Sequence, residues 1–142
     1  MTAIIALRED GRATMKRDME LVREILTAIR ARADLKPRML KIEDRNNLVV
    51  QRHVEMLFEA GLLQGRRHKN LQQGSCPEIF VTDISWEGHD FLAALENEDV
   101  WKKIKSTFSA GELTSLPLSV LKDVGLSLLK EWGRTKLGIP EN

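Results

Sequence analysis

The chain has 142 residues, of which 42% are hydrophobic and 30% charged, a net charge of +1 and one cysteine, Cys76. This length and balance suit one compact domain and exclude a disordered chain, and a lone cysteine excludes an intramolecular disulfide or a multi-cysteine zinc site. No apolar run is long enough to cross a bilayer, and Ile4-Ile5-Ala6-Leu7 is too short for a signal-peptide core, so a soluble cytoplasmic protein with no membrane partner is expected.

In chain order, residues 1–14 show no sustained period and end in the turn-like Asp10-Gly11; they are expected to be an N-terminal extension, possible to leave disordered. From Met15 the steps Met15, Met19, Val22, Ile25, Leu26 and Ile29 predict a helix, with Thr14 as N-cap and Pro37 ending it. Met39, Leu40 and Ile42 suit a brief extended segment. A second helix is predicted over 47–60, with Val50, Val54, Leu57 and Phe58 on one face and Gly61 as its stop.

Leu62-Leu63 opens an extended run into Arg66-Arg67-His68-Lys69, 70–77 forms a polar loop, and Ile79, Phe80 and Val81 mark a returning strand. Ser85 is a natural N-cap, with Trp86, Phe91, Leu92 and Leu95 expected to face inward. Asn97 caps a further helix whose stripe is Val100, Trp101, Ile104 and Phe108. Ala110-Gly111 is expected to break the chain. A last helix starts near Ser115-Leu116-Pro117 and carries Leu118, Leu121, Gly125, Leu128 and Trp132 at steps of three and four.

The order helix, brief strand, helix, hairpin, helix is that of a winged-helix domain. VQRHVEMLFEAGLL resembles the helix-to-wing junction of winged-helix regulators, and VTDISWEGHDFLAAL resembles the wing's return strand and following helix. Taken with MKRDMELVREIL at Met15, Val100-Trp101-Lys102-Lys103-Ile104-Lys105 and SLPLSVLKDV at Ser115, these stretches resemble one domain-of-unknown-function family of bacteria and phages or prophages, over Met15 to about Leu137. The expected fold is mainly α with a small β-hairpin: a winged-helix-like domain over 15–96, with helices over 97–142 packing on it. Because members of that family usually begin at the position of Met15, a chain starting there is expected to melt at the temperature of the full chain.

His89-Asp90 admits a sharper reading. With His53 upstream and Asp123 downstream it follows the order of ligands in a metal-dependent His-Asp phosphohydrolase. These residues fall on different helices, however, and a dyad without its context is a low-specificity match, so a plain helix start is preferred. His53, His68 and Cys76 match no common zinc spacing. No cofactor is called for, and the chain is read as non-enzymatic.

Two binding roles remain open. In a winged-helix protein the helix before the hairpin enters the major groove and the wing touches phosphates. Arg45, Asn46, Asn47, Gln51 and Arg52 lie at or near that helix's start, and Arg66, Arg67, His68 and Lys69 line the wing. Between Lys36 and Lys69 eight Lys/Arg face four Asp/Glu, a local +4 against −3 elsewhere, a mild asymmetry that permits an anionic partner without requiring one; with the winged-helix resemblance, double-stranded DNA and a role in transcription regulation are the first expectation. Against this, Glu55 and Glu59 lie on the helix's outward face, and 31–46 offers no obvious first helix of a helix-turn-helix. The alternative is a protein-interaction adaptor, with Leu118, Leu121, Leu128 and Trp132 as a seam for a homodimer or a partner helix.

Overall fold

A computed structural model describes residues 5–7, 13–68 and 78–138, with side chains from 16 onward. Strand β1 (Ile5–Leu7) pairs antiparallel with β2 (Ala13–Met15), Ile5 opposite Met15. Met15 is therefore spent in a strand, and helix α1 (Met19–Arg30) begins later than the periodicity predicts. Its N-cap is Asp18 rather than Thr14: the Asp18 carboxylate accepts from Glu20 N (2.9 Å) and Leu21 N (3.3 Å). Leu21, Val22, Ile25, Leu26 and Ile29 form its buried stripe.

Helix α1 also stops before Pro37. Asp34 accepts from Lys36 N and from Arg38, which folds the chain back so that Arg38 bridges Val81 antiparallel, through Val81 N to Arg38 O at 2.9 Å. The brief extended segment thus falls at Arg38, one residue ahead of Met39. These partners, the Arg38 guanidinium first, hold the Asp34 carboxyl down at about 2. No helix occurs in 31–46, so the paired helices of a helix-turn-helix, joined by a tight turn, are absent there.

Helix α2 (Asn47–Glu59) is capped by Asn46, whose side chain accepts from Val49 N. It ends as predicted, with Gly61 at φ +78°, a left-handed conformation that glycine adopts without steric penalty. Leu62 N then bonds back to Leu57 O, turning the chain into β3 (Leu63–His68). This strand pairs antiparallel with β4 (Glu78–Ile84), and the register shifts between Gln64 and Gly65. Phe80's carbonyl lies where a Cβ on Gly65 would stand, so glycine lets the strands close at that irregularity. The expected hairpin tip, with Lys69 and Cys76, lies outside the described residues.

Ser85 caps α3 (Trp86–Glu96) as its sequence predicts: its hydroxyl oxygen accepts from Gly88 N (3.0 Å) and its O–H donates to Gly61 O (2.7 Å). Trp86 does not face inward, being 83% exposed. The helix turns Gly88, Phe91, Leu92 and Leu95 to the core, and the first-turn position inward is taken by glycine. A Cβ on Gly88 would collide with Leu62 O and the Ile84 side chain.

Helix α4 (Glu98–Thr107) starts at its Asn97 cap. Ala110-Gly111 does not break the chain; it opens the short helix α5 (Ala110–Ser115), because Ser109 and Glu112 form a reciprocal capping box. Pro117 then precedes α6 (Leu118–Leu137).

One core joins α1, α2, the base of the β3–β4 hairpin and α3, and Leu118 of α6 also enters it. Ala94, Val100 and Ile104 form a smaller second core, against which Leu128, Leu129 and Trp132 of α6 pack. Gly125 lets α6 approach α3, its Cβ position lying 3.4 Å from Ala94 Cβ. The fold is mainly α with a small hairpin and a C-terminal helix, as the sequence predicts. No described helix is long and apolar enough to cross a membrane.

Candidate functional site

The cations expected to touch DNA lie on α2, the hairpin and the segment entering α2. The side chains of this surface are largely engaged with one another. Asp44 takes a left-handed backbone (φ 63°) and the next residue, Arg45, turns back onto α1. Arg45 Nε and Nη2 donate to the two Glu24 carboxylate oxygens at 3.0 and 2.8 Å, and Nη1 lies 3.5 Å from Asp18. Its side chain is 8% exposed, and the Glu24 bond raises its pKa further. Arg45 is thus a strut between α1 and α2, not a base-reading group.

Gln51 is also misassigned as a contact residue. It is fully buried, and its Nε2 donates to Leu40 O and Asn47 Oδ1, tying α2 to the extended segment before it. Asn46 is the cap, and Asn47 is exposed but already accepts from Gln51. Arg52, the second cation of the five at the helix start, projects into solvent without an ion pair among the described residues.

On the hairpin, Arg67 Nη1 and Nη2 donate to Glu55 (2.6 Å) and Glu59 (2.9 Å), one turn apart on α2. The Glu55 hydrogen bond is the larger reason why the Arg67 pKa rises. Neighbouring strand residues point to opposite faces, so Arg66 faces away from α2 and stays exposed. His68 stands edge-on to Phe80, 3.7 Å from Glu78. Lys69 is outside the described residues. The two carboxylates on the outward face of α2 are therefore matched by an arginine of the chain itself.

The expected seam on α6 faces inward. Leu118 and Leu121 are buried, and Leu128 and Trp132 pack on the second core, with Trp132 Nε1 donating to Asp99 Oδ2. Leu118 and Leu121 are thus spent inside the fold, while Leu128 and Trp132 are half-buried and line a groove between α4 and α6.

His53, foremost among the zinc and hydrolase candidates, is fully buried inside α2. Its Nδ1 lies 2.8 Å from Val49 O and its Nε2 accepts from Asp18 N at 2.9 Å, an arrangement that fits the neutral ring with the proton on Nδ1. Burial lowers its pKa. His89 lies against the exposed Trp86 ring, on α3 rather than α2. Among the described residues no three His, Cys, Asp or Glu side chains gather as a metal site.

Sequence reasoning passed over Arg17. It is 8% exposed, its Nη2 donates to Leu113 O (2.7 Å), and its Nε is buried without an acceptor. No ion pair compensates it among the described residues, and burial lowers its pKa. It lines a cavity of about 270 Å³ shared with Arg52, Glu55, Glu59 and Thr114. The only local signal was a cation immediately before a helix cap.

A family model described as "Hypothetical protein (DUF2513)" matches residues 16–114. An uncharacterized protein of Haemophilus influenzae is 25% identical over 119 residues, covering 82% of this chain and 98% of that protein. No solved structure matches. The family match begins beside Met15, runs through the hairpin and both Ser85 and Asn97 caps, and ends within α5; the chain belongs to the DUF2513 family.

Proposed function

We propose that this chain is a non-enzymatic, cytoplasmic protein-interaction module, built on a winged-helix-like scaffold that does not read DNA. The observation that carries the reading is the Arg67 clamp on Glu55 and Glu59. A helix that enters the major groove must bring cations or neutral donors to the phosphates and base edges. Here the outward face of α2 carries two carboxylates, and the wing arginine offsets them. Arg45 and Gln51, two further side chains suited to base edges, are spent inside the fold.

Trp86 supports the positive half of the proposal. An indole left 83% exposed in the first turn of a rigid helix, with His89 against it, resembles the aromatic anchors that dominate protein interfaces. Its backbone is fixed by the Ser85 cap, so the ring is presented at little cost in chain entropy. The phage or prophage setting implied by the sequence resemblance fits such an adaptor.

A photo-crosslinking residue placed at position 86 tests this in cells. The expected result is a discrete protein adduct that is absent when the same residue replaces Lys102, an exposed position on α4. Adducts to nucleic acid, or none above the Lys102 control, would overturn the reading.

A further inference from the structure

We propose that Arg17 and Arg52 form a receptor for a single carboxylate, in the cavity between α2 and α5. A guanidinium taken out of water is costly unless a counter-ion or a full set of acceptors meets it. Every other strongly buried arginine in the described chain has one: Arg45 is held by Glu24 and Asp18, and Arg32 reaches Asp34 and the Val81 carbonyl. Among the described residues Arg17 has a single carbonyl, Leu113 O, and no carboxylate. It lines a cavity of about 270 Å³, which is ample for a carboxylate and the atoms that carry it.

The surrounding charge selects the ligand. Arg17, Arg52 and Arg67 against Glu55 and Glu59 leave one net positive charge around the cavity. That balance suits a monoanion, whereas a phosphate, nearly doubly charged at neutral pH, meets Glu55 and Glu59 at the rim. A planar guanidinium fork also matches the two oxygens of a carboxylate. The Thr114 hydroxyl donates to Gly111 O, so the donors to the ligand are the two arginines. Arg17 is fixed by its bond to Leu113, and Arg52, exposed on α2, closes over the anion from outside.

The site does not depend on the interaction-module reading, because the carboxylate can sit on a free small molecule or on an acidic side chain of a partner. The full chain, labelled with ¹⁵N, is titrated with acetate and with N-acetylglutamate α-amide at constant ionic strength, following the side-chain Nε–H signals of Arg17 and Arg52. Saturable shifts of both signals are expected. A stronger response to the glutamate derivative assigns the source to a protein side chain, and equal responses assign it to free carboxylates; both support the site. Arg52→Glu leaves the backbone spectrum in place and weakens binding at least about tenfold, since a like charge replaces the closing cation. Lys102→Glu, a remote exposed change of the same size, leaves it unaltered. No shift at Arg17, a preference for inorganic phosphate, or an unchanged response in Arg52→Glu overturns the proposal.

Discussion

His53 shows how a residue that suggests chemistry can be fully occupied by structure. Its Nε2 accepts the backbone N–H of Asp18, so it joins α2 to the start of α1 only while the ring is neutral. Asp18, Arg17 and Arg45 face it, and desolvation outweighs the favourable Asp18 charge, so the folded-state pKa lies below the ordinary 6.5. Between those two values the unfolded chain binds more protons than the folded one. Stability from this group is therefore complete above about pH 6.5 and is lost as pH falls toward the folded pKa. Urea melts at about pH 7.5 and about pH 5.5 should show wild type losing stability on acidification, and His53→Gln losing less across the same interval. Equal losses in the two proteins would contradict the assignment.

At the scale of elements, what could be read from sequence was what depends on near neighbours. Ser85, Asn97 and Gly61 mark helix ends through bonds spanning a few residues, and each holds in the fold. Asp18 was missed in favour of Thr14 because the strand partner of Met15 lies ten residues upstream. The capping box of Ser109 and Glu112 spans only three residues, yet the expectation of a break rests on the small residues Ala110 and Gly111 alone. The arginine partnerships were not readable at all: Arg45 meets Glu24 across 21 positions and Arg67 meets Glu55 across 12. A count of cations between Lys36 and Lys69 cannot distinguish a free arginine from a clamped one.

Gly88 belongs to the same scale. It lets the first turn of α3 sit on the carbonyl of Leu62, directly where β3 leaves α2, so one missing Cβ sets the angle between helix and hairpin. Gly88→Ala should destabilise the fold by about 2 kcal/mol, because the obstructing atom is backbone and cannot swing aside. Chemical denaturation measures this directly. A change below about 0.5 kcal/mol would mean that α3 shifts freely on the hairpin.

For the whole molecule, we propose that the face formed by α2 and the hairpin does not bind nucleic acid, because the carboxylates of α2 are matched there by the chain's own Arg67. Arg67 lies at the centre of that claim. It bridges Glu55 and Glu59 at the surface, so Arg67→Ala should cost less than about 1 kcal/mol of stability. Removing the clamp therefore separates binding from folding. The most direct measurement is a titration of labelled duplex DNA at several salt concentrations, using wild type and an Arg66→Ala/Arg67→Ala double variant. The account predicts no binding by either protein, even at the lowest salt. Tight binding by wild type that falls steeply with salt, with a shallower slope in the double variant, would contradict it, because it would show the hairpin arginines neutralising phosphates despite the pairing of Arg67 with α2.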